Sequence, residues 1–208
     1  MNELIAIVDY NMGNLRSVEK SFSQYNCQVV VTNDHKIISK ADKVVLPGVG
    51  SFKDGMRELQ KLQLTDILNE SIIRDKKPFL GICMGMQVLM DFSDENNGTQ
   101  CLSVIKGKVE KLKSQKNNKI KIPHMGWNKI IKKNDHPIWH NIKDGSFFYF
   151  VHSYYINPLE KSTIIGETEY GKIFSSVIAK NNIIAIQGHP EQSSDVGLQF
   201  LKNFIRIN

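Results

Sequence analysis

The stretch PFLGICMGMQ, from Pro78 to Gln87, is the most informative part of this sequence for predicting its fold. An apolar strand, Pro78 to Ile82, runs into Gly81-Ile82-Cys83-Met84-Gly85, the cysteine version of the G-x-S-x-G elbow between a strand and a helix. Such a turn lifts the central side chain above the sheet, and the flanking glycines remove Cβ clashes that would block it. A helix N-terminus behind Cys83 favours the reactive thiolate. We therefore predict that Cys83 is a nucleophile rather than a buried, inert cysteine.

Upstream of the elbow, strand-like and helix-like segments alternate. Apolar runs predict strands at Leu4 to Val8, Cys27 to Val31, Lys43 to Leu46 and Pro78 to Ile82. Apolar residues at helical spacing predict helices at Leu15 to Tyr25, Phe52 to Gln60 and Leu64 to Arg74. This order predicts an α/β fold with a largely parallel central sheet and flanking helices.

Downstream, the segments are shorter, and turn residues separate them. They predict antiparallel strands added to the sheet in the second half, near Lys108 to Leu112, Ile120 to Ile122, Phe147 to Ile156, Thr163 to Glu169, Ser176 to Ala179 and Ile183 to Gln187. Ser193 or Ser194 is predicted to cap a final helix. We see no linker or repeat, so residues 1–208 are expected to form a single domain.

Composition excludes several function classes. The 208 residues carry a formal net charge of +6, with 41% hydrophobic and 23% charged residues, as in soluble globular proteins. The lysines are spread along the chain without interleaved aromatics, so no nucleic-acid partner is predicted. The N-terminus lacks the features of a secretory signal and no apolar run could span a bilayer, so we expect a cytoplasmic protein without a membrane partner.

Cofactor and metal motifs are also weak in this sequence. The three cysteines, Cys27, Cys83 and Cys101, are widely spaced, which predicts neither a disulfide framework nor a structural zinc. His136 and His140 stand four apart but have Pro137 between them and no H-E-x-x-H carboxylate, so they are interpreted as loop residues. We expect no metal and no cofactor.

A thiol nucleophile needs a proton acceptor, and His189 is the best candidate. It follows the apolar strand Ile183 to Ile186, and Pro190 stiffens the turn after it. Glu191 is near enough in sequence to orient the imidazole and to favour its charged form. Cys83, His189 and Glu191 together satisfy the logic of a nucleophile, a base and an orienting acid.

Attack on an amide also requires donors for the developing oxyanion. The backbone N–H of Met84, directly after the nucleophile, is one candidate. The other is predicted in the segment Val49–Gly50, in a turn after a neighbouring parallel strand, where ligands of open α/β sheets collect. The glycines here do not match the G-x-G-x-x-G spacing of a dinucleotide loop.

Six stretches together resemble the class I, triad-type glutamine amidotransferases, and among them the glutaminase subunits of imidazole glycerol phosphate synthase. They are Val8 to Asn14, Leu46 to Phe52, Gly81 to Gln87, Ile122 to Asn128, Phe148 to Tyr155 and Gly188 to Glu191. The strings HMGWN and FVHSYY distinguish this family from other class I glutaminases. The resemblance covers essentially the whole chain and implies a flavodoxin-like sheet.

The resemblance also implies a reaction and a partner. Cys83 would attack the side-chain amide of glutamine, and the pocket would include Gln87, Glu95, His152, Ser153 and Tyr154. The released ammonia would pass through a channel to a (β/α)₈ barrel cyclase subunit in a heterodimer, which makes imidazole glycerol phosphate and an aminoimidazole ribotide in histidine biosynthesis.

The same resemblance assigns a docking face. Asn14, Trp127 and Tyr149 match positions near the partner, although the residues alone would class the two aromatics as core. Two departures concern the partner's identity: Gln192 stands where the family usually carries a partner-contacting lysine, and the segment 100–107 lacks the usual Gly-Leu-Gly. An alternative acceptor is therefore an amidotransferase of surface polysaccharide sugar synthesis.

Overall fold

The computed structural model describes residues 3–114 and 119–207, and within those ranges the backbone forms a mixed sheet of thirteen strands with six α-helices. The strands are β1 (Leu4–Val8), β2 (Gln28–Thr32), β3 (Lys43–Gly48), β4 (Phe79–Cys83), β5 (Phe92–Ser93), β6 (Thr99–Gln100), β7 (Gly107–Lys111), β8 (His124–Lys132), β9 (Ser146–His152), β10 (Tyr154–Pro158), β11 (Ile164–Glu169), β12 (Ile173–Lys180) and β13 (Ile183–Ile186). The helices are α1 (Leu15–Phe22), α2 (His35–Lys40), α3 (Phe52–Lys61), α4 (Leu64–Asn69), α5 (Met84–Gln87) and α6 (Ser194–Ile205), and a π-helical segment, Glu70–Arg74, continues α4.

The parallel half of the sheet has the strand order β2-β1-β3-β4-β13. This is the flavodoxin-like order, in which the strands' carboxyl ends meet beside a topological switch point. Strands β3, β4 and β13 are buried along their whole length because helices cover both faces, which explains their continuous apolar runs. The predicted α/β fold with a largely parallel sheet is confirmed.

Two apolar cores lie on opposite faces of this sheet. One contains side chains of α2, α3 and α4, such as Ile38, Phe52 and Leu68. The other contains α1 and α6, whose Phe22 and Phe204 rings meet edge to face with centroids 6.3 Å apart. Layers on both faces hold the ends of β3, β4 and β13 in fixed positions, and the candidate site described below lies at these ends.

The antiparallel half begins where β12 pairs with β13, and it continues through β10 and β7 on one side and through β11, β8 and β9 on the other. The predicted antiparallel additions are therefore confirmed as a class. Among the described residues, no helix is both long and apolar enough to cross a membrane.

Two local predictions were wrong, and several elements were missed. The segment Ile120 to Ile122 forms no strand, and β8 begins only after Pro123, which has no N–H to give to a ladder. The run Phe147 to Ile156 breaks at Ser153, because β9 pairs with β8 whereas β10 pairs with β7 and β12. Helix α2 and strands β5, β6 and β8 were not predicted.

Candidate active site

The elbow at the end of β4 holds Cys83 in an unusual backbone conformation, with φ 55° and ψ −107°. The glycines around it permit close packing: a Cβ on Gly85 would lie 1.7 Å from the Leu46 carbonyl oxygen, and one on Gly81 would lie 2.5 Å from the Gly85 oxygen. Helix α5 therefore lies directly against β3 and β4. It has only one turn, so its dipole contributes less to the thiolate than the sequence suggested.

The Cys83 side chain is 5% exposed and contacts polar groups from later in the chain. Its Sγ lies 3.5 Å from Nε2 of Gln187, which donates to it, and 4.0 Å from the carbonyl oxygen of Val151. The sulfur also borders an open cavity, so it is accessible to a small molecule.

His189 and Glu191 form a buried pair just after β13. The His189 Nδ1–H donates to Oε1 of Glu191 at 2.8 Å, and both side chains are 2% exposed. This bond leaves Nε2 as the free nitrogen, and Nε2 has no hydrogen-bond partner within the described ranges. The imidazole is thus oriented by its carboxylate in the way that a catalytic histidine requires.

The charge state of His189 is set by opposing effects. Burial alone would lower its pKa, but the negative charge of Cys83 and the hydrogen-bonded carboxylate of Glu191 outweigh burial and raise the pKa to about 10. The His189 imidazole is therefore protonated at neutral pH, and a positive charge near the sulfur is what activates a cysteine nucleophile.

The backbone of His189 is held by the antiparallel half of the sheet. Its N–H donates to the Tyr149 oxygen at 2.8 Å, and its carbonyl accepts from Oγ of Ser193 at 2.6 Å. Ser193 stands at the N-cap position of α6, as predicted, but its hydroxyl does not cap the helix. It instead accepts from the Tyr149 N–H at 2.9 Å, which binds β9 to the histidine.

A cavity of about 230 Å³ opens beside the cysteine. It is lined by Pro123, Val151 and nine of the predicted site residues, which are the nucleophile, all three oxyanion residues and all five glutamine-binding residues. These nine are Val49, Gly50, Cys83, Met84, Gln87, Glu95, His152, Ser153 and Tyr154. A larger cavity of about 830 Å³ lies between α2 and α4 and includes none of these residues.

The turn after β3 faces the elbow. Gly48 pairs with Cys83 in the parallel register, and Gly50 has a φ of +104°, which favours glycine. Neither N–H of Val49 and Gly50 is hydrogen-bonded to a residue in the described ranges. Both N–H groups remain available to a ligand in the cavity.

Polar groups cover the far wall of the cavity. Gln87 donates through Nε2 to the Tyr154 carbonyl and to Oε1 of Gln187, each at 3.0 Å. The Glu95 carboxylate accepts from the Phe52 N–H at 3.3 Å, and burial raises its pKa. Gln187 was missed as a site residue, although a glutamine that follows the apolar strand β13 beside His189 was a usable signal.

A histidine pair supports the same wall. His152 Nδ1 donates to the Tyr154 carbonyl at 2.8 Å, so its Nε2 accepts from His124 Nδ1 at 3.0 Å. Burial lowers the pKa of His152 to about 3 and that of His124 to about 4, which keeps both rings neutral. His124 also stacks on Tyr170, with ring centroids 3.9 Å apart. His124 was predicted only as part of the HMGWN motif, without a role in the site.

The four predicted partner residues lie outside the cavity. Trp127 is 51% exposed, which contradicts the core interpretation of this side chain, and its ring meets Tyr149 edge to face at 6.1 Å. Asn14 is exposed and caps α1 by accepting from the Ser17 N–H. Gln192 is exposed and lies in the turn after His189. This turn packs between α1 and β9.

The fold and this cavity define a class of protein: an α/β enzyme whose cysteine stands at a strand-to-helix elbow beside a buried histidine–carboxylate pair. The family model described as glutamine amidotransferase class-I matches residues 6–207. The chain belongs to the class I glutamine amidotransferase family.

Relatives match this chain along nearly its whole length. The subunit HisH of imidazole glycerol phosphate synthase from Hydrogenovibrio crunogenus is 47% identical over 99% of this chain and 97% of its own. The protein of the same name from Methanocaldococcus jannaschii is 45% identical over 98% of this chain and 100% of its own.

Solved structures support the fold. The structure of PurLQS from Thermotoga maritima aligns with a TM-score of 0.71 at 15% identity, over 99% of each chain. A glutamine amidotransferase from the same organism aligns with a TM-score of 0.64 at 18% identity, over 99% of this chain and 82% of its own.

Proposed function

We propose that this chain is the glutaminase subunit of an imidazole glycerol phosphate synthase, which hydrolyses glutamine to glutamate and ammonia for a (β/α)₈ cyclase subunit. The names of the full-length relatives support the synthase. The observation that carries the chemistry is the His189–Glu191 pair, whose free Nε2 couples electrostatically to Cys83 at the edge of the cavity.

In the proposed reaction, the Cys83 thiolate attacks the side-chain amide carbon of glutamine. The carbonyl oxygen gains the electron pair, and the N–H groups of Met84 and of the Val49–Gly50 segment stabilise it. As the intermediate collapses, the imidazolium of His189 gives its proton to the departing nitrogen, and ammonia leaves behind a glutamyl thioester. Water then attacks the thioester with His189 as the base, which releases glutamate and restores the ion pair.

The far wall is suited to the amino-acid end of glutamine. The half-buried carboxylate of Glu95 supplies a negative charge for the substrate ammonium. Both protons of the Gln87 amide nitrogen are used by protein carbonyls, so its Oε1 is left to accept from the substrate.

An exposed aromatic face supports docking of the cyclase. Met125, Trp127, Phe147 and Tyr149 lie on one side of the paired strands β8 and β9, and the first three are 63%, 51% and 49% exposed. A contiguous apolar patch of this kind marks a protein interaction surface. The same strand β9 holds the backbone of His189, so a partner on this face would lie close to the ammonia source.

The function is tested by purifying the chain with the cyclase from the same genome. Ammonia release from glutamine should be much faster with the cyclase than without it, and the gene should rescue a histidine auxotroph that lacks this subunit. Glutamine hydrolysis without rescue would favour the second candidate acceptor, an amidotransferase of surface polysaccharide sugar synthesis. That candidate is supported by Gln192, which replaces the family's usual partner-contacting lysine. Absence of hydrolysis in the complex would contradict both.

The segment 100–107 bears less on this choice. Its backbone N–H groups at Leu102 and Ser103 donate to carbonyls of Val88 and Met90, just after α5. Since the segment is built into the body of the domain behind the elbow, its altered sequence does not by itself support a different acceptor.

A further inference from the structure

Gln187 lies directly behind the cysteine and is fully buried. Its backbone N–H donates to the Ser176 oxygen at 2.8 Å, which continues the pairing of β12 with β13. Its side chain reaches between Cys83 and Gln87, with Nε2 at 3.5 Å from Sγ and Oε1 at 3.0 Å from Gln87 Nε2.

The orientation of this amide follows from its neighbours. The Tyr154 carbonyl can only accept, so the Gln87 group that faces it must be the NH₂. That same NH₂ faces Gln187, which must therefore present its oxygen to Gln87. The Gln187 NH₂ is thereby directed at the sulfur, and a flipped amide would place an oxygen against the thiolate instead.

We propose that Gln187 is a further catalytic residue, whose side-chain N–H donates to the Cys83 thiolate and stabilises it before it attacks. The inference rests on the proposed role of Cys83 as the nucleophile. A donor on the sulfur favours the anion over the neutral thiol, and a hydrogen bond to a charged group is stronger than one between neutral groups. The bond weakens once the sulfur becomes a neutral thioester, so Gln187 stabilises the resting ion pair of Cys83 with His189.

The arrangement also links the nucleophile to substrate binding. The Gln87 amide nitrogen donates one proton to Oε1 of Gln187 and the other to the Tyr154 carbonyl. If Gln187 is replaced, Gln87 keeps its bond to Tyr154, so the wall of the cavity stays in place. The change should therefore lower kcat, by about tenfold, more than it raises KM.

The test measures alkylation of Cys83 by iodoacetamide across pH 5 to 10 in the full chain, with Cys83 followed by mass spectrometry. Gln187→Met keeps the volume and removes the donor, and we expect the midpoint of the rate profile to rise by about one pH unit. Gln187→Glu keeps the shape but can place a negative charge against the sulfur, so the rate at pH 7 should fall more than tenfold.

Ser176→Ala is the matched control. It removes a buried hydroxyl beside Gln187 that has no hydrogen-bond partner within the described ranges, and it should leave the alkylation profile unchanged. Wild-type profiles in both folded Gln187 variants would overturn the proposal, and so would loss of folding in both, because Gln187 would then be structural. The readout does not require glutamine to be the substrate, so a chain without glutaminase activity would refute the proposed function while still testing Gln187.

Discussion

The two halves of the sheet contribute different parts of the active site. The parallel half supplies the proposed catalytic groups at the ends of its strands: the turn after β3, the elbow after β4 and the histidine after β13. The antiparallel half supplies the wall at His152 to Tyr154, the backbone contacts that hold His189, and the exposed aromatic face. In the proposed function, the half that is covered on both faces carries the chemistry, whereas the half with an exposed face carries recognition.

The largest effect is expected for Cys83→Ala. Removing the nucleophile of the parallel half should lower glutamine hydrolysis by the complex by about a thousandfold or more, because no thioester can form. Ammonia release measures the effect. Cys101→Ala is the control, since Cys101 does not line the cavity and should leave the rate near that of wild type. A substantial residual rate in Cys83→Ala would refute the mechanism.

A glycine pair compares the halves directly. Gly85→Ala would bring a Cβ to 1.7 Å from the Leu46 oxygen in the parallel half, so we expect a loss of about 3 kcal/mol or more in the free energy of unfolding. Gly126→Ala in β8 meets nothing within 4 Å but has φ +128°, so about 1 kcal/mol is expected. Urea denaturation measures both; equal losses would show that the halves tolerate change alike.

Trp127→Ala tests the recognition role of the antiparallel half. The ring is half exposed and meets mainly Tyr149, so stability should change little, whereas affinity for the cyclase should fall about ten- to hundredfold. Titration calorimetry against the purified cyclase measures the affinity. Leu159→Ala, at a residue 74% exposed away from this face, should bind like wild type. Unchanged binding in Trp127→Ala would place the interface elsewhere.

The smallest expected effect concerns pH. The folded pKa of His189, about 10, lies above its ordinary value near 6.5, so protonation of His189 stabilises the fold fully below pH 6.5. That contribution is lost as the pH rises from about 6.5 through about 10. The difference in unfolding free energy between wild type and His189→Asn should therefore shrink across this window. If the difference in unfolding free energy stayed constant across this window, a protonated His189 paired with its negatively charged neighbours would be contradicted.

Much of the parallel half could be predicted from the sequence, because strands that are buried on both faces appear as continuous apolar runs. Strand β1 matches its predicted bounds, and β3 and β4 start within one residue of theirs. The antiparallel half was harder to predict. In β8, buried and exposed positions alternate among polar and apolar residues, so the nine-residue strand His124–Lys132 left no apolar run. The break at Ser153 depends on partner strands far away in sequence.

The elbow at Cys83 and the His189–Glu191 pair could be predicted from the sequence alone, because each depends on residues close together in the chain. Three features became apparent only in the folded chain: Gln187 contacts the sulfur, Ser193 binds the histidine instead of capping α6, and Trp127 is exposed. The Gln187–Cys83 contact joins positions 104 residues apart, and the Ser193 hydroxyl is also held by the Tyr149 N–H, 44 residues away. The exposure of Trp127 depends on which face of its strand remains uncovered. Local sequence patterns do not predict contacts between residues far apart in the chain, because such contacts form only when the two halves of the sheet pack together.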